Sequence, residues 1–156
     1  MIAVEYLWIF LIGLVMFLIG QSIQALAISA LISFLAKRFS LKQRLAEESR
    51  LSGGFIILSI TLFFLLFNSL FQVGLWALVF CIVGQFESYA EAFYHSAVNF
   101  ATLGYGDIVM ADPWRMLGAL EAISGVLMLG LSTATLSAVF GQLIRRRYVG
   151  FRQHLR

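Results

Sequence analysis

Three stretches without charge constrain the fold of this chain more than any other feature. No Asp, Glu, Lys or Arg lies between Glu5 and Lys37 or between Arg50 and Glu87, and only Glu121 interrupts the stretch from Arg115 to Arg145. Each stretch exceeds the roughly 20 residues that a helix needs to cross a bilayer core of about 30 Å. Inside hydrocarbon the backbone must satisfy its own polar groups, so runs of this kind cross as helices. With 61% hydrophobic and 12% charged residues, the expected fold class is an all-α membrane protein with three transmembrane helices. The first run is too long for the h-region of a signal peptide, about 7–15 residues, and no clear cleavage site follows it. It is expected to remain as a permanent helix.

The basic residues set the expected orientation. Lys37, Arg38, Lys42, Arg44 and Arg50 lie in the first loop, and Arg145, Arg146, Arg147, Arg152 and Arg156 lie in the tail. If each run crosses once, these fall on one side, while Glu5, Glu87, Glu91, Asp107 and Asp112 fall on the other. The positive-inside rule then puts the N-terminus outside and the C-terminus in the cytoplasm of a cell (inner) membrane. The net charge of +3 belongs to these membrane-flanking clusters, and no folded domain displays it to a nucleic acid. Cys81 is single and sits in an apolar run, which suggests neither a disulfide framework nor a metal site.

Residues 1–50 are expected to hold an extra N-terminal helix, over about 3–36, and a cytoplasmic amphipathic connector. Tyr6 and Trp8 stand near the outer end of that helix as interface anchors. It lacks Arg or Lys at every third position, so it is a packing helix and not an Arg-rich voltage sensor. Ser40 with Gln43 forms a capping-box pattern that would open the connector, with Leu41, Leu45 and Leu51 toward the inner membrane surface. Residues 51–156 hold the rest. One long tilted helix is expected over 52–84, with Asn68 and Gln72 facing protein because an unpaired amide in lipid is costly. Ser88-Tyr89-Ala90-Glu91 is a capping box for a helix over 89–100, too short to span. Asp112-Pro113 supplies an N-cap and a first-turn Pro for a last helix over 113–144, followed by a basic cytoplasmic tail over 145–156.

Between the short helix and the last one stands Thr102-Leu103-Gly104-Tyr105-Gly106-Asp107. Gly accepts positive φ at little steric cost, so this alternation lets successive carbonyl oxygens turn to one side. A column of such oxygens can replace the hydration shell of a cation, and the negative end of the preceding helix dipole favours a cation there. The segment resembles the pore signature of the potassium-channel pore-domain family, in which four TVGYG-type loops surround one axis. The resemblance covers about residues 60–144. It implies a re-entrant pore helix at 89–100, a selectivity-filter loop at 102–107 between an outer and an inner helix, and a homotetramer. It further implies that potassium is held by the Thr102 hydroxyl and by the carbonyls of Thr102, Leu103, Gly104 and Tyr105, with Gly106 completing the outer mouth. Tyr94 would support Asp107 from behind.

The departures from the family pattern are Leu103 for Val, Ala101 for Thr, Asn99 for a small hydroxyl residue, and Val98 for a second acid. Val126, Leu129, Thr133 and Ser137 recur on one helical face, which the resemblance assigns to the cavity below the filter. Gly125 and Gly130 match inner-helix glycines of the family, where bending and close packing are both open. His95 occupies a pore-helix position where an aromatic residue is common, and a structural role is expected.

Glu121 is the only acid or base inside an expected span. At about 100° per residue it points roughly 125° away from the Val126–Thr133 face. A buried hydrogen bond is therefore expected, with Gln72, His95, Ser96 or Asn99 as partner. The expected function is passive potassium conduction, with the permeant ion in place of any cofactor, and with lipids and further copies of the chain as partners. No Ser-His-Asp, HExxH or phosphate-loop arrangement occurs, so no enzyme is expected. A weakly selective cation channel and a non-conducting regulatory membrane subunit are the alternatives. Tyr105 argues against the first, and the intact pair of glycines against the second.

Overall fold

The structure, a computed structural model, describes the backbone of residues 2–42 and 50–154 and the side chains of 4–37 and 53–145. Among the described residues there are four helices and no strand: α1 (Ile2–Lys42), α2 (Arg50–Ile82), α3 (Tyr89–Phe100) and α4 (Arg115–His154). Segments long and apolar enough to cross a membrane are Val4–Lys37, Gly53–Ile82 and Arg115–Arg145. The chain is an all-α membrane protein with three candidate spans.

The helix ends differ from the sequence reading in several places, and α2 covers Arg50–Ile82 where 52–84 is expected. α1 runs on to Lys42, so Ser40 lies within a helix and not at the start of one; Lys37, Arg38 and Leu41 are good helix formers and no Gly or Pro stops them. Residues 43–49 of the amphipathic connector, Leu45 included, lie outside the described residues, and Leu51 belongs to α2. Ser88 does sit at the N-cap of α3 in extended conformation, but its side chain makes no capping bond; the box marks the boundary without its reciprocal pair. α4 starts at Arg115, because the Trp114 N–H bonds back to the Ala111 carbonyl at 2.9 Å. Pro113 therefore lies in a turn ahead of the helix, and Asp112 meets Arg115 in an exposed ion pair at 3.6 Å. At its other end α4 passes through the expected tail to His154, where Arg145, Arg146 and Arg147 carry high helix propensity.

α2 closes by a Schellman motif. Gly84 has φ +74, its N–H bonds to the Cys81 carbonyl at 2.9 Å, and the Gln85 N–H bonds to the Phe80 carbonyl at 3.0 Å. Gly is the usual residue at this left-handed position because it has no Cβ to clash. The chain then turns into α3, which is about 18 Å long at 1.5 Å per residue and too short to cross.

Three apolar clusters hold the helices together. Ile9, Trp76, Phe80, Ala92, Met110 and Leu117 join all four helices and the loop before α4. Val73, Phe100 and Met128 pack the end of α3 between α2 and α4. Leu31, Leu35, Ile57 and Val139 join α1, α2 and α4 farther along. α1 thus shares its core with the other helices instead of standing apart from them.

Candidate functional site

The end of α3 builds the site. The Thr102 N–H bonds to the Asn99 carbonyl at 2.8 Å and the Leu103 N–H to the Val98 carbonyl at 2.9 Å. These are the two bonds of a second Schellman cap, with Thr102 in the position that Gly84 fills on α2. Thr102 accordingly has φ +58. A β-branched residue in the left-handed region is a rare conformation, costing about 1–2 kcal/mol. Sequence reasoning missed this, because Gly or Asn is the signal for such a cap and neither is present. Positive φ recurs at Gly104 (+57) and Gly106 (+72), so left-handed residues alternate with Leu103 and Tyr105. The N–H groups of Thr102 and Leu103 are turned back onto α3, and all of residues 101–107 are exposed. Among the described residues no hydrogen bond is accepted by the carbonyls of 102–106.

The wall behind this segment is polar and joined by hydrogen bonds. The Tyr94 hydroxyl donates to Asp107 Oδ2 at 2.8 Å. That bond holds the Asp107 carboxyl below the usual carboxylate range, since a donor favours the charged acceptor. His95 Nδ1 lies 2.9 Å from the Ile108 carbonyl, and Asn99 Nδ2 lies 2.9 Å from His95 Nε2. With the Asn99 amide as donor, Nε2 accepts, and the ring proton on Nδ1 is given to Ile108. His95 also packs edge-on against Phe80 and at a tilt against Phe86, with centroids 5.6 and 5.1 Å away. A structural role for His95 fits these contacts. Asn99 thus replaces a small hydroxyl residue with an amide that braces the chain after Asp107.

The Tyr94–Asp107 bond gives a testable pH dependence. Because Asp107 is held low, the bond is complete at neutral pH and is lost as pH falls through the lowered value. Tyr94→Phe removes the donor, so the Asp107 titration should move up toward the ordinary value. A carboxyl-carbon NMR titration of labelled protein checks this. An unchanged Asp107 midpoint in Tyr94→Phe would show that the hydroxyl does not hold the acid.

Glu121 is fully buried on α4, with its Oε1 against the Ser96 hydroxyl of α3, and the same hydroxyl lies 2.8 Å from the Val73 carbonyl of α2. Of the four partners considered, Ser96 holds Oε1, and the Asn99 amide also acts on the carboxyl. Gln72 instead donates to the Gly20 carbonyl of α1 at 3.0 Å. Asn68 and Gln72 are both buried against protein. Gly125 is a close-packing position, since a Cβ there would stand 2.1 Å from the Phe100 carbonyl oxygen. At Gly130 a Cβ would meet nothing within 4 Å, so packing gives no reason for that glycine. Val126, Leu129, Thr133 and Ser137 are all exposed along α4 in the single chain, on the side away from buried Glu121.

Residues 70–142 match a family model described as "Ion channel". The chain is also 36% identical, over 70 residues, to potassium voltage-gated channel subfamily A member 2 of Oncorhynchus mykiss. That match covers 44% of this chain and 14% of the relative, so the chain spans only a small part of the relative's length. No solved structure gives a significant match. The family-model match spans α3, residues 101–107 and most of α4, the part of the chain that builds the site.

Proposed function

We propose that the chain belongs to the potassium-channel pore-domain family and is a potassium-selective channel subunit that works as a homotetramer. The observation that carries the reading is the state of residues 102–106. Their left-handed residues alternate, the first N–H groups are tied back to α3, and the carbonyls have no partner among the described residues. One chain supplies one such segment, and a cage closed around an ion needs four. The negative end of the α3 dipole meets the start of the segment and favours a cation there. Thr102 adds its hydroxyl, the carbonyls of Leu103, Gly104 and Tyr105 form the sites above, and Gly106 closes the mouth. Val126, Leu129, Thr133 and Ser137 line the cavity below. Gly130 is the bending point of the inner helix, with Gly125 kept for packing. The N-terminus lies outside and the C-terminus in the cytoplasm of a cell membrane, by the basic clusters.

Flux from purified protein in liposomes tests the reading, with potassium and sodium compared on the same preparation. Strong preference for potassium is expected. Equal sodium flux would replace the reading with a weakly selective channel, and no flux with a non-conducting subunit.

The Schellman position of Thr102 separates two roles in one residue. Thr102→Gly relieves left-handed strain and should leave stability equal or higher by up to about 1–2 kcal/mol. It also deletes the hydroxyl from the innermost ion site. Thermal unfolding should therefore occur at or above the wild-type temperature while potassium preference over sodium falls. Full preference in the glycine variant would show that the hydroxyl does not contact the ion.

A further inference from the structure

The candidate site leaves unexplained why α1 carries amides in the middle of an apolar span. Gln24 of α1 is 1% exposed, and its Nε2 donates to Ser132 Oγ of α4 at 3.0 Å. Its Oε1 accepts from Asn68 Nδ2 of α2. One side chain thus bridges three helices, and it ends on the residue beside Thr133. A second contact backs it: Gln72 of α2 donates to the Gly20 carbonyl, and a Cβ at Gly20 would crowd the Met128 methyl of α4 at 2.7 Å.

α4 is therefore fastened at two levels, with a gap between them. At Gly125 it is pressed on the Phe100 carbonyl, and at Ser132 it is bonded to Gln24. Gly130 lies between, with open space around it. Beside Ser132, a groove of about 380 Å³ between α1 and α4, lined in part by Ser29, Ile32 and Leu131, leaves α4 room to shift. Any bend at Gly130 swings the part of α4 beyond it, and the Gln24–Ser132 bond is a polar contact to another helix that such a swing strains. In lipid no water replaces a lost partner.

We propose that Gln24 is a positioning residue, an amide latch by which α1 and α2 hold the inner half of α4 and so set the balance between its arrangements. The consequence for conduction rests on the channel reading; the latch itself does not. Interhelical hydrogen bonds in membranes shift an equilibrium by about threefold on average, and that is the smallest effect expected on open probability.

Two variants test it in full-length protein in lipid. Ser132→Ala removes one acceptor, and Gln24→Leu with Asn68→Leu removes both amides so that neither is left unpaired. Spin labels at Leu26→Cys and Phe140→Cys, in a Cys81→Ser background and diluted with unlabelled chains, read the distance between α1 and α4. Both variants should shift or broaden that distance and change open probability by at least about threefold, with unit conductance and potassium preference unchanged. An unaltered distance distribution in both variants overturns the latch, whatever the flux does, and so does an altered distance with wild-type open probability. If the distance changes but the wild-type protein passes no ions, the latch stands and the channel reading falls.

Discussion

Replacing either Gly104 or Gly106 by Ala should abolish potassium preference in liposome flux. The reason is backbone conformation and not crowding. Both residues sit at positive φ, +57 and +72, yet a Cβ at either would meet nothing within 4 Å in the single chain. An alanine that kept the conformation would be strained by about 1–2 kcal/mol. An alanine that relaxed would rotate its carbonyl out of line, and a cation would lose part of the shell that replaces its water. Either way the balance between potassium and sodium, which depends on fixed carbonyl geometry, is disturbed. Each variant should still assemble, since α1, α2 and α4 pack without this segment. Wild-type flux rate and preference in Gly104→Ala or Gly106→Ala would remove residues 102–106 from the conduction path.

The same segment shows what a sequence can and cannot carry. The three spans and α3 were legible because uninterrupted apolar runs and a terminal serine are linear signals. The apolar length and the breaker Gly84 together mark the end of α2. Thr102 was not legible as a helix cap, since its left-handed backbone is imposed by the bonds to Val98 and Asn99 against its own preference. The start of α4 was misread because Pro113 is compatible with a first turn, and only the bond from Trp114 back to Ala111 excludes it. Asn68 and Gln72 declared themselves as amides in an apolar run. Gln24 carries the same signal, but its significance lies in reaching two helices at once. That depends on the rotation and depth of α1, which its evenly apolar surface does not encode. Glu121 was legible as a buried acid, whereas the choice of Ser96 and Asn99 over Gln72 and His95 is set by how far α3 slides along α4.

Glu121→Leu should therefore destabilise the fold far more than Glu121→Gln. Ser96 has a single hydroxyl proton and two oxygens within reach, the Val73 carbonyl and Glu121 Oε1. A side chain at position 121 that can donate lets the hydroxyl serve Val73 while it accepts from α4, and Gln supplies that donor with nearly the same shape. Leu fills the volume but offers nothing to Ser96, and it sets a branched methyl against a buried hydroxyl at the one point where α2, α3 and α4 meet through polar atoms. A buried polar group that loses a partner costs about 1–3 kcal/mol. The damage should also reach the site, since Ser96 lies within the helix whose end carries residues 102–106. Size-exclusion and thermal unfolding of the two variants in detergent measure the first effect, and liposome flux the second. The Gln variant should match wild type in both. The Leu variant should unfold at lower temperature and lose flux. An intact Leu assembly beside a dead Gln channel would show that the charge of Glu121 acts in conduction, and that its bond to Ser96 is incidental.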